Sequence, residues 1–530
     1  MRPTTDDPAV DAGHPRRWLI LLVLCTSLAV VIIGNSSLNI ALPALAEGLK
    51  ASNSQLQWIV DSYALVFAGM LFTAGTLGDR FGRKGALQIG LVVFLAGALA
   101  AATADSAGAV VACRAVMGLG AAFVMPSTLS ILVNVFPVAE RPKAIAVWAA
   151  IAGAGGALGP VGSGFLLEHY SWSSVFLVNV PVVLLALVAG AALVPTSRDP
   201  GRPRVDAVGA VLSVVGLVAL VYAIIEAPSH GWSSRETLGT AGGALVVLTL
   251  FVLWERRRPE PMLDIGYFRD SRFSVGSAGM MLTFFALFGL MFLLTQYLQL
   301  VLGYSALATS LRMLPMVLVM VTVSPLAPRL VRWFGANRVV GAGMLVVAAG
   351  AIGMSRLTVD TPFVTVLAVM MVMVAGMATA MPSLTNAIMS GVPRAKAGAG
   401  SAMNDTTREL GGALGVAVMG SLVTSQFSRG MRPVLAGLPD AAASAAESSL
   451  AGALRVASAA GPAGADLAAT ARSAFVDGMS LAFLAGAVVI GVAATLVIRL
   501  LPREVEAVEH GAVPAVPAPV EADGLELAVE

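Results

Sequence analysis

The chain has little charge for its length. Only 12% of its 530 residues are charged, 57% are hydrophobic, and the mean hydropathy is +0.84. A soluble protein of this size covers its surface with polar and charged side chains, and this composition does not provide them. The scarcity of charge therefore excludes a soluble globular protein and indicates an integral membrane protein.

The residue types of metal sites, disulfides and most enzymes are also scarce. The two cysteines lie in apolar segments, and the four histidines are scattered over tails and loops. No G-x-x-x-x-G-K-[ST] loop occurs, so coupling to ATP is not supported. A membrane enzyme is disfavoured because catalytic residues are not clustered, and a receptor because the polar segments are short. We expect no cofactor, metal, nucleotide or nucleic acid.

Long apolar runs recur along the whole chain. A helix needs about 20 residues to cross a bilayer core about 30 Å thick, whereas barrel strands would be about ten residues of alternating polarity. The sequence therefore predicts an all-α protein with fourteen membrane helices. The predicted spans are 18–41, 56–78, 86–104, 108–133, 144–167, 174–194, 207–227, 237–254, 274–300, 306–328, 337–357, 361–384, 398–423 and 478–500.

The positions of the positive charges predict the orientation. Most of the 33 lysines and arginines lie in the two tails and in the loops on their side, as insertion requires of the cytoplasmic side. We expect a multi-pass protein of the cell membrane with both termini in the cytoplasm. Residues 1–17 would form the N-terminal tail, and the acidic segment 501–530, rich in Pro and Ala, a disordered C-terminal tail.

Two short motifs occur twice, in the same order. "GGALG" occurs at 155–159 and at 411–415, while "LGDRFGRK" (77–84) is echoed by "LAPRLVRWFGANR" (326–338). Such echoes predict two related six-helix bundles, the build of transporters that rock around a midplane site. The predicted units are 18–195 and 274–500 for the bundles and 207–254 for two inserted helices.

Several motifs resemble those of a known family. Residues 75–87 resemble the loop between helices two and three of the major facilitator superfamily, and "LGPVGSG" (158–164) resembles the antiporter motif of its drug exporters. With "SSLNIALPAL", "LQWIVDSYAL", "CRAVMGLGAA" and "WSSVFLVNVP", the chain resembles the fourteen-helix drug:proton antiporter branch over about residues 18–500.

The resemblance implies a major facilitator fold and a secondary active transporter. Such a protein would export amphiphilic small molecules in exchange for protons by alternating access. An exporter of one endogenous metabolite or lipid, and a proton-linked importer, stay open as alternatives. The implied partners are a small-molecule substrate, protons and membrane lipids, and the implied functional unit is a monomer.

The resemblance also implies roles for two motifs. The charged loop would be a cytoplasmic gate that locks to the neighbouring half, although Arg83 and Lys84 also fit ordinary positive-inside anchors. The glycines of the antiporter motif would allow close contact with the other half, although small-residue packing explains them equally. The gate residues are Gly75, Asp79, Arg80, Gly82, Arg83 and Lys84, and the motif residues are Gly155, Gly159, Pro160 and Gly164.

Five ionisable residues inside predicted spans are candidates for proton coupling. A charge there costs about 2.5 to 3.5 kcal/mol on insertion scales, so such residues tend to mark a pathway. Arg408 lies within one helical turn of both Asp405 and Glu409 and can pair with either acid. The pair would either switch during proton transfer or be a static ion pair that holds the bundle together. Arg114 resembles an arginine used in proton-linked transport, and Asp61 is either buried or solvated near the outer end of its span.

The first span departs from the family pattern. Family members typically carry an acid before "LNIALP", where this chain has Gly34. Without that acid, the first span has no carboxylate to recognise a cationic substrate. We therefore expect a neutral, anionic or amphiphilic substrate in preference to a cationic one. The candidate substrate-binding residues are Asn35, Asn39, Phe288, Gln296 and Tyr297. The outer segment 424–477 is expected to be a surface helix, a lid or a passive loop.

Overall fold

The computed structural model describes residues 13–137, 140–198, 206–259, 261, 263–392 and 397–503, and these form helices and turns without any strand. The first six helices are α1 (Arg17–Gly48), α2 (Asn53–Phe81), α3 (Arg83–Ala102), α4 (Ala107–Val135), α5 (Arg141–His169) and α6 (Ser174–Leu193). The next two are α7 (Ala207–His230) and α8 (Arg235–Arg257).

The remaining helices complete the bundle. They are α9 (Ser271–Gln296, continued by a π-helical turn Tyr297–Val301), α10 (Ala306–Val323, continued as Ala327–Phe334), α11 (Ala336–Met354), α12 (Phe363–Ser390), α13 (Ala397–Leu435), α14 (Asp440–Ser448), α15 (Leu450–Ala459) and α16 (Ala465–Leu500). The short helices α14 and α15 join the last two long ones.

The long helices match the predicted spans. Thirteen helices of the described residues are long and apolar enough to cross a membrane. Helix α5 is not among those thirteen, but it has 29 residues and coincides with the fifth predicted span. The segment 424–477 is mostly helical, because α13 and α16 extend beyond their predicted spans to 39 and 36 residues. The helix expected in this segment agrees with these elements, and the placement of the segment outside the membrane stays a prediction.

The helix pairing of the first six helices is repeated in the second half. Helix α1 packs on α5, α2 on α4, and α3 on α4 and α6. In the same way α9 packs on α13, α10 on α12, and α11 on α12 and α16. The predicted architecture of two related six-helix bundles with two inserted helices is confirmed.

Two glycines from the second sequence echo occupy equivalent turns. Gly82 follows α2 with φ of 129°, and Gly335 follows α10 with φ of 86°. Glycine adopts positive φ without the steric cost that a side chain brings. Each N–H donates to the carbonyl four residues earlier, Gly78 and Val331 respectively. The chain can therefore reverse sharply into the next helix in both halves.

The two halves meet at one end of the bundle. We name the end that holds the start of α1 and the end of α16 the terminal face, and the opposite end the far face. The halves pack through α2 on α13 and through α5 on α10. Among the described residues, the hydrogen bonds that join them are Asn53 Nδ2 to Gly420 O (3.3 Å) and to Thr424 Oγ1 (2.5 Å), Gln299 Nε2 to Ile40 O (3.0 Å), Arg455 Nη1 to Glu47 O (3.0 Å) and Ser305 Oγ to Glu168 Oε1. All of them lie toward the far face.

The inserted helices have different surroundings. Helix α7 packs against both α2 and α13, whereas α8 packs mainly on α7. Only 11% of the most apolar window of α8 is buried, against 72% for α2. Because most of its apolar side chains are not covered by protein, α8 is suited to face lipid, and α7 is placed to contact both halves.

Candidate functional site

A small polar cavity lies between the two halves. Its lining residues are Val31, Ile32, Asn35, Tyr63, Phe67, Met125, Asp405, Arg408 and Glu409. The cavity offers about 40 Å³ to the centres of water molecules, which is room for a few waters. Pockets that hold drug-sized molecules enclose roughly 300 to 1,000 Å³. In this conformation the cavity is therefore too small for a drug-sized molecule, although Arg408 keeps 41% of its side chain exposed.

Arg114 of α4 is fully buried beside this cavity. Its guanidinium carbon lies 4.2 Å from the centre of the Tyr63 ring, and Nη2 donates to Asn35 Oδ1 at 3.2 Å. Nε donates to the carbonyl oxygen of Ile59 at 3.1 Å, and Nη1 to that of Gly34 at 3.4 Å. The planar fork thus ties together α1, α2 and α4 through neutral acceptors and an aromatic face.

The structure shows what occupies the place of the missing acid in α1. A Cβ atom on Gly34 would lie 2.8 Å from Cζ of Phe94, a fully buried ring of α3. A carboxylate at position 34 would therefore require Phe94 to move. The first-half side of the cavity carries an amide, aromatic rings and apolar side chains instead of an acid, and Arg114 lies behind the amide and Tyr63.

The second half contributes the acids, both from α13. Arg408 Nη1 lies 3.6 Å from Asp405 Oδ1, and its guanidinium lies 4.7 Å from the Phe284 ring centre. Asn404 also donates to Asp405, at 3.4 Å. Glu409 Oε2 is buried and has no hydrogen-bond partner among the described residues. Arg408 is therefore paired with Asp405, while Glu409, one position along the helix from Arg408, keeps one carboxylate oxygen without a bond among the described residues.

Asp61 lies apart from the cavity. Its side chain is fully buried, and neither carboxylate oxygen has a hydrogen-bond partner among the residues that the structure describes. The alternative that Asp61 is solvated near the membrane surface is wrong for this conformation. Tyr63, two residues on, lines the cavity, and residues two apart point to nearly opposite sides of a helix.

The predicted gate residues bond within their own half. Asp79 Oδ1 accepts from Arg83 Nε at 2.7 Å, and Lys84 Nζ donates to the carbonyl of Ala191 in α6 at 2.7 Å. Arg80 lies over Phe81, and Gly75 packs near Pro126. None of the hydrogen bonds or ion pairs described for this loop reaches the second half. The predicted lock to the second half is therefore not formed among the described residues.

The predicted antiporter motif contacts two different helices. Ser36 Oγ of α1 donates to Gly155 O at 3.3 Å, and Ser37 Oγ donates to Gly159 O at 3.2 Å. A Cβ atom on Gly164 would overlap Ser310 of α10. Gly155 and Gly159 thus bring α5 against its own half, and Gly164 brings it against the other; Pro160 lies between them, partly buried.

The predicted substrate residues are dispersed. Asn35 lines the cavity, and the Phe288 ring packs against Gly412 of α13. Asn39, one turn after Asn35, has a buried amide oxygen without a partner among the described residues.

Gln296 and Tyr297 are buried away from this cavity. The amide nitrogen of Gln296 donates to Phe292 O at 3.2 Å, within its own helix. Tyr297 Oη donates to Thr358 O at 2.7 Å, near the far face. In this conformation their polar groups bind the backbone and do not face the cavity.

Sequence reasoning did not single out the apolar and aromatic lining. Tyr63 and Phe67 stand four residues apart on α2, and Met125 of α4 completes that wall. The signal that could have found them is the four-residue aromatic spacing directly after Asp61. Such spacing is common in buried helices, so it becomes informative only when the partner helix is known.

Two related helical bundles around a shared cavity lined by ionisable residues define a membrane carrier of the two-bundle type. The model of the Major Facilitator Superfamily matches residues 24–416. The chain belongs to this superfamily, and it is a multi-pass membrane protein that acts on small molecules. The family predicted from the motifs is confirmed.

Two curated relatives cover nearly the whole chain. The multidrug efflux pump LfrA of Mycolicibacterium smegmatis is 37% identical over 495 residues, which is 92% of this chain and 98% of the relative. The tetracenomycin C resistance and export protein of Streptomyces glaucescens is 33% identical over 530 residues, 97% of this chain and 98% of the relative. Both names describe export or efflux.

A solved structure has the same fold. A bacterial homologue of the human lysosomal transporter Spinster, in an inward-facing and unoccupied conformation, aligns with a TM-score of 0.66. The alignment covers 92% of this chain and 98% of that one, at 18% identity. At this identity the similarity concerns the fold.

Proposed function

We propose that this protein exports amphiphilic small molecules across the cytoplasmic membrane in exchange for protons, by alternating access. The observation that carries the proposal is Glu409, an acid with an unpartnered oxygen in a cavity shared by both halves of a transporter fold. The export and efflux named for two relatives of 33 and 37% identity support the direction and the substrate class.

The cavity wall supports an amphiphilic substrate. Val31, Ile32, Phe67 and Met125 supply aliphatic, aromatic and thioether surface, which adapts to varied apolar shapes. Without an acid on α1, a cationic group of the substrate would be drawn to Glu409 on α13. A substrate and a proton would then compete for the same carboxylate, which is one simple route to exchange.

The ionisable residues have distinct proposed roles in this exchange. Glu409 would bind and release the proton, while Arg408 holds Asp405 as a permanent ion pair. Glu409 lies near enough to Arg114 and Tyr63 to interact with them electrostatically across the cavity. A charged Glu409 would thus draw the halves together through Arg114, and protonation would weaken that attraction. Asp61 would be a further proton-binding acid.

We place the terminal face in the cytoplasm. The positive charges are concentrated there, as the insertion rule demands. The far face, where the hydrogen bonds between the halves lie, would then be the closed outer side. The charged loop after α2 would bond to the second half when the protein turns to face outward.

Reconstituted transport with an imposed pH gradient tests this proposal. The purified chain in liposomes should move rhodamine 6G against its gradient when the far face is acidic, and an ionophore that collapses the gradient should stop it. We expect Glu409→Gln to lower gradient-driven flux at least tenfold. The matched control is Asp360→Asn, which neutralises an exposed acid outside the membrane helices and should leave the flux unchanged.

Two results would contradict the proposal. Flux that is indifferent to the pH gradient would remove proton exchange altogether. Gradient-driven flux that survives in full in each of Asp61→Asn, Asp405→Asn and Glu409→Gln would remove the coupling residues assigned here.

A further inference from the structure

A polar stripe runs down one face of α2. Asn53, Gln57 and Asp61 are spaced four residues apart and therefore share that face. Asn53 donates a hydrogen bond to the carbonyl of Gly420 on α13. Gln57 packs so closely against the same glycine that a Cβ atom on Gly420 would overlap the Gln57 side chain. One turn after Asp61, Leu65 packs in a cluster shared with α7 and α13. Asp61 consequently faces the seam between α2 and α13.

The two inner members of the stripe are buried without partners. Gln57 and Asp61 are each 0% exposed. Neither amide atom of Gln57 and neither carboxylate oxygen of Asp61 has a hydrogen-bond partner among the described residues. Buried polar groups are nearly always bonded to protein or to water. Two adjacent exceptions indicate a place that binds a small polar species.

Helix α7 covers this seam on the lipid side. Val221 and Ile225 of α7 form an apolar cluster with Ala413 and Ala417 of α13 and with side chains of α2. Farther out, Ser421 donates to a backbone carbonyl of α7 at 2.8 Å. The polar stripe is thus screened from lipid. Its outer end is Asn53, the first residue of α2, which lies toward the far face.

The charged groups around the seam are engaged elsewhere. On α7, Glu226 accepts a hydrogen bond from an indole N–H of α2 at 3.2 Å. On α4, Arg114 is stacked on Tyr63, and on α13, Glu409 lines the cavity. None of them forms a described hydrogen bond or ion pair with Asp61. An ionised Asp61 would be an uncompensated buried charge in this closed seam, which proteins avoid.

We propose that Asp61 is a proton-binding site separate from the cavity, loaded from the far face along Asn53 and Gln57, and that its protonation permits the α2–α13 seam to close. A proton from far-face water binds a carboxylate oxygen and leaves a neutral carboxylic acid. Loss of that proton leaves a carboxylate that needs water, and the seam opens. The inference rests on the proposed proton-driven export and assigns the outward half of the cycle to Asp61.

Distance measurements across the seam test this. Spin labels would be placed on α2 and α13 at the far face, as Ser54→Cys and Arg429→Cys, with Cys25 and Cys113 replaced by alanine. In nanodiscs, the ratio of closed to open populations should rise by up to about tenfold for each unit of pH lowered between pH 8 and pH 5, because one proton is taken up on closing.

The variants decide whether Asp61 is the group that responds. Asp61→Asn should keep the seam closed at every pH, and Asp61→Glu should restore the response. Asp105→Asn, which neutralises an exposed acid in the far-face loop between α3 and α4, should behave as the parent. Gln57→Leu should slow the pH response in stopped-flow quenching between the same positions.

Three outcomes would overturn the proposal. These are a pH response that persists in Asp61→Asn, one that is lost only in Glu409→Gln, or closure driven by Na⁺ at fixed pH. Because the readout is a distance, it is independent of transport. If transport is driven by the pH gradient but closure of the seam does not depend on Asp61, this inference alone is refuted. If transport ignores the pH gradient, the proposed function is refuted.

Discussion

Arg114 holds three helices together through acceptors that carry no formal charge. A lysine at that position keeps the charge but has one nitrogen, so it cannot reach Asn35 and the carbonyls of Gly34 and Ile59 together. We expect Arg114→Lys to lose at least tenfold in transport and about 1 to 3 kcal/mol in stability.

Transport in liposomes and thermal unfolding in detergent would measure these losses. Arg429→Lys is the matched control, because Arg429 is exposed and makes a single 3.5 Å hydrogen bond. Full activity and unchanged unfolding of Arg114→Lys would show that a point charge is sufficient at this position.

Glu140 gives a pH-dependent contact outside the membrane. It accepts from Arg17 Nε at 2.7 Å and from Nη2 at 2.8 Å, and this pairing holds the pKa of Glu140 below its usual value. A lowered carboxyl pKa stabilises the fold above the pKa of the unfolded chain, and that stability is lost as pH falls through the folded value.

The unfolding temperature should therefore fall as the pH is lowered below about 4.5, the range where a carboxyl titrates. Glu140→Gln should show a smaller fall over the same range, and high salt should weaken the difference because solvent still reaches both side chains, which are 23% and 34% exposed. Identical pH profiles for both chains, measured by tryptophan fluorescence, would contradict the assignment.

Individual ionisable residues were visible in the sequence, but their pairing was not. A charge inside an apolar run stands out, so Arg114, Asp405 and Glu409 could be selected without a structure. Spacing alone allowed Arg408 to pair with either acid, and only side-chain packing shows that it pairs with Asp405. Likewise, nothing in the sequence separated Asp61 from the cavity, since that depends on the angular position of α2 against its neighbours.

At the scale of the helices, α2 and α4 approach each other closely at a glycine of α4. A Cβ atom on Gly118 of α4 would overlap the carbonyl of Tyr63, whereas one on Gly108 of the same helix would meet nothing within 4 Å. We expect Gly118→Ala to destabilise the protein by about 1 to 3 kcal/mol through overpacking. The shift would also displace Tyr63 from Arg114 and reduce transport.

Gly108→Ala is the control on the same helix. Since alanine favours helix over glycine, this change should leave stability equal or slightly higher. Thermal unfolding of both variants in one detergent would compare them directly. Equal unfolding temperatures of the two variants would contradict this, because they would show that α2 and α4 can move apart without a loss of stability.

Helix existence was more predictable than helix extent. The fourteen predicted spans coincide with helices because long apolar runs are a strong signal. The extensions of α13 and α16 were missed because their Ala- and Ser-rich sequence lacks the hydropathy of a membrane span, although it favours helix. The contacts of α7 with both halves were also invisible, since they depend on how three helices from distant parts of the chain assemble.

At the scale of the whole molecule, the two bundles are tied at one face. The described hydrogen bonds between the halves lie toward the far face, and the charged loop at the terminal face bonds within its own half. This asymmetry is what one end state of a rocking transporter requires. The two halves repeat the same helix pairing and therefore present related surfaces to each other. The second end state can form when the contacts at the far face break and the equivalent surfaces at the terminal face come together.

The most direct test of this account measures both faces of one molecule. One label pair reports the far face, at positions 54 and 429, and a second pair reports the terminal face, at Gly85 of α3 and Trp333 of α10. Across pH and with a bound amphiphilic substrate, we predict that one distance shortens whenever the other lengthens. Distances that lengthen together, or that stay fixed while transport proceeds, would contradict two bundles pivoting about a shared cavity.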